Sequence, residues 1–167
     1  MIVVCSDTHS NGSHELTDHM LDAISEADRL IHAGDFTTVS ALEAFHEEAT
    51  RLEAVFGNAD DPSVRDRLPP ARTVEWEGLR IAVTHRRDGG GTGLEMFGRE
   101  RGADLVISGH SHRPSITRAD DLVLLNPGSH AQPRGNRPGY AELEPVEEGV
   151  RCRLRQPDGT LIEEATL

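Results

Sequence analysis

The first half of the chain alternates short apolar runs with stretches of helical periodicity. Ile2–Cys5 is a continuous apolar run, which is typical of a strand buried on both faces. Between residues 13 and 27, apolar residues recur at helical spacing, and Ser13 is placed to cap the start of this helix. The pattern up to residue 108 predicts strands at 2–5, 29–33, 52–56 and 104–108, a hairpin of strands at 73–76 and 79–84, and helices at 13–27, 40–49 and 94–101.

The second half reads as strands alone. These are predicted at 115–118, 122–125, 140–143, 150–154 and 161–166, and residues 88–93 are predicted as a flexible glycine-rich loop. Alternating strands and helices followed by a run of strands predict a layered α/β fold, with two β-sheets packed face to face and flanked by α-helices. We expect one domain over residues 1–167, with its functional site at the carboxyl ends of the parallel strands.

Charge and cysteine content exclude several classes of protein. Asp and Glu number 29 against 17 basic residues, a net charge of −12, so we expect no non-specific nucleic-acid binding. No apolar run approaches the roughly 20 residues of a membrane span, and no basic leader precedes the polar residues that begin at Ser6. Cys5 and Cys152 read as buried thiols in a reducing compartment, so we expect a cytoplasmic protein.

All basic residues of this acidic chain are arginine. An acidic, self-repelling surface keeps a protein soluble at high salt, and the composition resembles that of proteins from salt-loving organisms. A GC-rich genome also favours Arg over Lys, and the sequence leaves both explanations open.

Five polar clusters each follow a predicted strand directly. They are Asp7-Thr8-His9, Gly34-Asp35, Gly57-Asn58-Ala59-Asp60, Thr84-His85 and Gly109-His110-Ser111-His112. Each cluster alone has an ordinary explanation as a turn or a helix cap. Together they supply carboxylate, imidazole and one carboxamide without any thiolate, a donor set that suits Mn²⁺, Fe²⁺, Co²⁺, Ni²⁺ or Zn²⁺. The seven candidate ligands, too many for one such ion and suited to two with a shared bridge, are Asp7, His9, Asp35, Asn58, His85, His110 and His112.

The ordered series of clusters resembles that of the calcineurin-like metallophosphoesterases. The short length and the stretch Asn126-Pro127-Gly128-Ser129 are similar to the small bacterial and archaeal phosphodiesterase branch of that superfamily. The resemblance runs from Val3 to about Arg134. It implies a four-layer sandwich in which helices flank two central β-sheets.

The resemblance also implies a role for each cluster. One metal would be held by Asp7, His9 and His112, and a second by Asn58, His85 and His110, with Asp35 bridging the two. Among these residues, Asp35, Asn58 and His85 are the expected catalytic residues, and Asp60 is expected to support them from behind. The expected cofactors are two divalent ions per chain, Mn²⁺ or Ni²⁺ being favoured over Fe²⁺, Co²⁺ or Zn²⁺. The implied reaction is hydrolysis of a phosphoester P–O bond by in-line attack of a hydroxide held between the metals.

One position departs from the pattern of the larger superfamily. Many members carry a His directly after the motif Asn, where it stabilises the transition state or protonates the leaving group, and this chain has Ala59. Because positioned proton transfer is typically worth about 10²–10⁴-fold in rate, we expect slow turnover or substrates with good leaving groups. His130 is a candidate substitute, although a polar loop residue is the simpler interpretation. For the substrate phosphate, the expected contacts are Arg134 and Arg113.

Three functions remain open at this point. The first is a metal-dependent phosphodiesterase or phosphatase acting on a small phosphoester. The second is a non-catalytic, metal-binding scaffold of the same fold, resembling a retromer subunit, which should expose a large apolar patch. The third is another metallohydrolase, which the absence of a His-x-His-x-Asp-His cluster disfavours. No membrane partner is expected, and a homodimer is compatible with the sequence.

Overall fold

The computed structural model describes residues 1–167, which form eleven strands and four helices. The strands are β1 (Ile2–Cys5), β2 (Arg29–His32), β3 (Leu52–Ala54), β4 (Ala71–Trp76), β5 (Leu79–Thr84), β6 (Leu105–Ile107), β7 (Ser115–Ala119), β8 (Leu122–Asn126), β9 (Tyr140–Val146), β10 (Gly149–Arg155) and β11 (Leu161–Thr166). The helices are α1 (Asp18–Ser25), α2 (Val39–Glu48), α3 (Pro62–Arg65) and α4 (Gly90–Arg99).

The strands form two mixed sheets. The first sheet has six strands in the order β11-β10-β9-β1-β2-β3, and the second has five in the order β4-β5-β6-β8-β7. In the first sheet β1, β2 and β3 run parallel, and in the second β5, β6 and β8 do so. The remaining strands pair antiparallel.

The main apolar core lies between the two sheets. It comprises 18 buried residues, among them Val4 and Ile31 from the first sheet and Val83 and Ile107 from the second. Helices α1 and α2 cover the outer face of the first sheet, and α4 covers that of the second through Phe97. The order helix, sheet, sheet, helix confirms the four-layer sandwich that the sequence predicts.

Helix α1 begins later than the sequence pattern predicts. It starts at Asp18, and the side chain of Thr17 caps it by accepting the N–H of Met20 at 3.3 Å. Ser13 lies in the irregular segment before the helix, where its N–H donates to Ser10 Oγ at 3.0 Å. The predicted cap at Ser13 is therefore wrong, and a second capable residue further along takes its place.

Helix α4 begins earlier than predicted. Its first residue is Gly90, so most of the stretch expected to be a flexible loop is helical. Gly89 precedes the helix at φ 88°, in the left-handed region that glycine adopts without strain. The short helix α3 was not predicted, although it opens with proline, a common first residue of helices. No helix is long and apolar enough to span a membrane.

Candidate metal centre

The five polar clusters of the sequence meet at one edge of the sandwich. Parallel strands of one sheet end at the same edge, so residues that follow them converge. Asp7 and His9 follow β1, Asp35 follows β2, Asn58 follows β3, His85 follows β5, and His110 and His112 follow β6. The structure thus brings together all seven predicted metal ligands, three loops coming from the first sheet and two from the second.

One group of donors consists of Asp7, His9 and His112. The Nε2 atoms of the two histidines are 3.2 Å apart, and the rings stack with centroids 5.0 Å apart. The Oδ1 atom of Asp7 lies 3.4 Å from Nε2 of His112 and 3.8 Å from Nε2 of His9. One donor atom from each residue lies within 4.8 Å of the others, which is the spacing that a single cation needs.

A second group forms around His85. Its Nε2 atom is 3.2 Å from Oδ2 of Asp35 and 3.1 Å from Oδ1 of Asn58. The ring of His110 lies edge-on to that of His85, with centroids 5.4 Å apart. Oδ2 of Asp35 is also 3.5 Å from Nε2 of His9, so Asp35 stands between the two groups. This is the location that a bridging carboxylate requires.

Two of the histidines are oriented by backbone carbonyls. Nδ1 of His85 donates to the carbonyl of Ala33 at 2.7 Å, and Nδ1 of His112 donates to that of Gln132. Each ring is therefore oriented with Nε2 toward the centre, as in metal-ligating histidines. Oriented imidazole nitrogens beside buried carboxylates fit a divalent cation, so the residues present suit the metals that the sequence implies.

The backbone of the centre is held in a conformation that side-chain-bearing residues rarely adopt. Positive φ angles, from 48° to 72°, occur at Asp7, His9, Asp35, His110 and His112. Such strain costs about 1–3 kcal/mol per residue and clusters at functional sites. Two glycines make room for the side chains packed in these loops. A Cβ at Gly57 would lie 2.1 Å from Oδ1 of Asp35, and one at Gly109 would lie 2.0 Å from Oγ of Ser6.

Asp60 lies beneath the centre and joins two of its loops. Its carboxylate accepts the backbone N–H groups of Asp35 at 3.0 Å, Thr37 at 2.7 Å and Gly57 at 2.7 Å. Burial raises the pKa of Asp60. The structure therefore places Asp60 where it fixes the loops after β2 and β3, without reaching the converging donor atoms itself.

The charges of Asp35 and His85 support each other. Burial raises the pKa of Asp35, but the hydrogen bond and charge of His85 and the N–H of Ala59 outweigh it, so the net pKa is lowered. Burial lowers the pKa of His85, but its hydrogen bond with Asp35 outweighs it, so the net pKa is raised. Burial lowers the pKa of both His9 and His110. Asp35 is thus kept ionised, and His9 and His110 are kept neutral, as cation ligands must be.

Several supporting residues escaped the sequence analysis. Ser6 Oγ donates to Asp7 Oδ2 at 2.7 Å, and Ser129 Oγ donates to the carbonyl of Asp7 at 2.7 Å. Nδ2 of Asn126 donates to the carbonyl of Gly109 at 2.8 Å, which holds the loop after β6. The signal for Asn126 and Ser129 was present in the Asn-Pro-Gly-Ser stretch, which served only as a mark of the family.

His32 also supports the centre from a buried position. Its Nε2 atom is 2.9 Å from Oγ1 of Thr8, and its Nδ1 atom accepts the N–H of Gly34 at 3.2 Å. The ring stacks on Phe36 with centroids 3.7 Å apart, and burial lowers its pKa well below the usual value. It therefore joins the loops that carry Asp7 and Asp35 as a neutral side chain.

The two candidate phosphate contacts differ in their surroundings. Nη2 of Arg134 lies 3.5 Å from Nε2 of His9, so this guanidinium reaches the centre. Arg113 is exposed, and its backbone N–H donates to Ser111 Oγ at 3.3 Å. His130 is buried, with its Nε2 donating to the carbonyl of His14 at 2.8 Å, which gives it a structural role.

Comparisons with known proteins agree with the geometry. Residues 1–148 match the model of the calcineurin-like phosphoesterase superfamily domain. A protein of Methanothermobacter thermautotrophicus named "Probable metallophosphoesterase" is 37% identical over 147 residues, covering 86% of this chain and 84% of that protein. "Phosphodiesterase YfcE" of Escherichia coli strain K12 is 26% identical over 164 residues, covering 86% of each chain.

A solved structure shows the same fold at lower sequence similarity. Wild-type Vps29 from Entamoeba histolytica, in complex with Zn²⁺, superposes with a TM-score of 0.81 at 19% identity, covering 99% of this chain and 98% of that one. The match over residues 1–148 confirms the resemblance carried by the five polar clusters. The chain therefore belongs to the calcineurin-like phosphoesterase superfamily.

Proposed function

We propose that this chain is a metal-dependent phosphodiesterase that uses two divalent ions. The observation that carries the proposal is the location of Asp35, whose Oδ2 atom lies 3.5 Å from Nε2 of His9 and 3.2 Å from Nε2 of His85. One carboxylate thereby reaches both groups of candidate ligands. All seven ligand residues that the resemblance implies are present, including His9.

Each residue has a part in the proposed site. Asp7, His9 and His112 would hold one ion, Asn58, His85 and His110 the other, and Asp35 both. When bound, the ions supply an activated water and positive charge for the phosphoryl oxygens. Arg134 adds a permanent charge beside His9, where it can bind a phosphate oxygen. N and O donors without thiolate suit Mn²⁺, Ni²⁺, Fe²⁺, Co²⁺ and Zn²⁺ alike, and Mn²⁺ and Ni²⁺ are the proposed first choices.

The leaving group limits the choice of substrate. Ala59 supplies no proton, and its backbone N–H donates to Oδ1 of Asp35 at 2.7 Å. The site therefore favours esters whose leaving group departs as a stable anion. The relative named phosphodiesterase supports a diester over a monoester.

The alternative is a non-catalytic scaffold of the same fold. A protein-binding scaffold needs a contiguous apolar surface patch. The exposed large apolar side chains of this chain are Met96, on α4 outside the second sheet, and Leu161, on the edge strand β11 of the first sheet. The surface therefore favours the enzyme.

The test is metal-dependent hydrolysis of an activated aryl ester. Metal-stripped protein is reloaded with Mn²⁺, Ni²⁺, Co²⁺ or Zn²⁺ in turn, at low and at high salt. It is assayed with bis(p-nitrophenyl) phosphate and with p-nitrophenyl phosphate. We expect turnover of the diester that disappears in His85→Ala and persists in His46→Ala, a matched change at an exposed histidine of α2. If two ions bind per chain but no metal supports turnover, the enzymatic function is rejected and the scaffold function is favoured.

A further inference from the structure

A groove lies directly beside the second group of ligands. It has a volume of about 350 Å³ and runs between the first turns of α4 and strands β7 and β8. His85 and His110 form one end of it, so a phosphate held at the centre would extend one ester arm into the groove. This volume is near the lower end of small-molecule pockets, which measure roughly 300–1,000 Å³.

Gly91 lines this groove without any reason in the fold for being glycine. It lies inside α4, has no positive φ, and a Cβ added there would meet nothing within 4 Å. The other glycines further along α4 differ, because a Cβ at Gly93 would lie 2.0 Å from the carbonyl of Asp88, and one at Gly98 2.5 Å from Val106. Glycine inside a helix costs about 0.5–1 kcal/mol relative to alanine. The absence of a side chain at Gly91 leaves space open at the groove beside the metal centre.

The walls of the groove have a mixed chemistry. Leu94 and Leu124 supply an apolar floor. Ser115 and Thr117, two positions apart on β7, place hydroxyl groups on one side of that strand at the groove. An apolar floor with hydroxyl groups at its side matches a flat ring that carries hydrogen-bonding atoms on its edges.

Two arginines add charge at the same place. Arg67 and Arg80 elsewhere on the surface pair with carboxylates at 2.9 and 2.7 Å, whereas Arg86 and Arg87 at the groove have no ion pair. The guanidinium of Arg87 stacks 4.1 Å above the ring of Phe97, and its Nε atom is buried without a hydrogen-bond partner. Glu95 also lines the groove, but its carboxylate lies 3.9 Å from the guanidinium of Arg99. Arg86 and Arg87 together with this pair leave net positive charge at the groove of a chain of net charge −12, which favours an anionic ligand.

We infer that the groove binds the nucleoside arm of a nucleotide-type phosphodiester, with the base against Leu94 and Leu124 and its edge toward Ser115 and Thr117. This inference rests on the proposed function for the location of the phosphate. The inference adds the class of ester to the proposed function. A simple sugar or glycerol arm would leave the apolar floor of the groove without a contact.

The test compares two ligands that share the ribose phosphate and differ in the presence of the base. Adenosine monophosphate and ribose phosphate are titrated into Mn²⁺-loaded protein by calorimetry, with released phosphate measured as a control. We expect adenosine monophosphate to bind about tenfold more tightly, because its base buries apolar surface against Leu94 and Leu124. Gly91→Leu fills the mouth of the groove and should abolish the difference without weakening ribose phosphate. Gly91→Ala, a smaller change that favours the helix, should reduce the difference in affinity between the two ligands.

Thr92→Leu is the matched control, since Thr92 is the next residue of the same helical turn, exposed and outside the groove. It should retain the full preference. Equal affinity for the two ligands in the wild type, or a preference that survives Gly91→Leu, would overturn the inference. Because binding is the readout, a protein that prefers the nucleotide but hydrolyses no aryl diester would reject the proposed function alone.

Discussion

The Oδ2 atom of Asp35 lies 3.2 Å from the Nε2 atom of His85. The other carboxylate oxygen, Oδ1, accepts the N–H of Ala59 at 2.7 Å, so the carboxylate plane is fixed. The same Oδ2 atom faces His9 at 3.5 Å. A carboxylate in this orientation offers negative charge to both ligand groups at once, whereas an amide of the same shape offers one neutral oxygen.

Asp35→Asn should therefore lower the metal content from about two ions per chain to at most one, because an uncharged amide cannot bridge two cations. The measurement is elemental analysis of Mn²⁺-loaded protein after dialysis. Asp88→Asn, at an exposed carboxylate in the loop after β5, is the control and should leave the metal content unchanged. Two ions in the Asp35→Asn protein would reject the bridging role.

Asp60→Asn should destabilise the fold. The carboxylate accepts three backbone N–H groups, from Asp35, Thr37 and Gly57. An amide can accept at only one of its two terminal atoms, so at least one buried N–H loses its partner, at a cost of about 1–3 kcal/mol. Denaturant unfolding of the metal-free protein measures this loss in the free energy of unfolding.

Asp61→Asn is the comparison for Asp60→Asn. Asp61 precedes α3 and makes no side-chain capping hydrogen bond, so its substitution should change the free energy of unfolding little. Equal effects of the two substitutions would show that Asp60 does not hold the loops together.

Arg134→Gln should weaken substrate binding. Its guanidinium lies beside His9, and one charge-assisted hydrogen bond is worth about 1.5–3 kcal/mol, so we expect KM for bis(p-nitrophenyl) phosphate to rise at least about tenfold. The metal content should stay the same. Arg113→Gln serves as the comparison, because only the backbone of Arg113 is held near the centre, and its effect should be smaller. A larger rise in KM for Arg113→Gln than for Arg134→Gln would show that Arg113, and not Arg134, is the main contact of the substrate phosphate.

Ala59→His should restore a proton donor to the leaving group. The change should accelerate aryl diesters with poor leaving groups more than those with good ones, by up to about 10²–10⁴-fold. The measurement is the dependence of kcat on the pKa of the released phenol, which should become shallower. An equal acceleration across the series would mean that Ala59 does not limit departure of the leaving group.

The ligand residues could be predicted from the sequence because each follows a strand that is recognisable by itself. Asp7 and Asp35 come after short apolar runs, and parallel strands bring such residues to one edge. Supporting residues were harder to identify, since their partners are far away in the chain. Ser129 donates to the carbonyl of Asp7, 122 residues earlier, and no local pattern reveals that contact.

Helix boundaries depended on distant contacts for the same reason. Ser13 and Thr17 are both able to cap a helix. The hydroxyl of Thr17 also donates to the carbonyl of Pro157 at 2.6 Å, a contact between opposite ends of the chain that favours Thr17. The glycine content of residues 88–93 suggested a loop, but in the structure Gly93 lets the first turn of α4 pass the carbonyl of Asp88, which a Cβ would approach to 2.0 Å.

The stability of the metal-free protein should fall as the solution is acidified, in part through His130. Burial lowers the pKa of His130 from 6.5 to about 4, and its Nδ1 atom has no hydrogen-bond partner. The unfolded chain therefore binds a proton that the folded chain does not, between about pH 6.5 and pH 4. In that range the free energy of unfolding rises with pH. Acidification lowers it by about 1.4 kcal/mol per pH unit for one such group.

His130→Gln should make that pH dependence shallower by about one proton, because glutamine does not titrate while its amide can still donate to the carbonyl of His14. Denaturant unfolding at several pH values between 4.5 and 6.5 gives the slope. A slope should remain in the variant, since buried His32 also has a lowered pKa. His46→Gln, at an exposed position of α2, should leave the slope unchanged. If His130→Gln and the wild type show the same slope, His130 is protonated in the folded protein, and its burial does not exclude the charge.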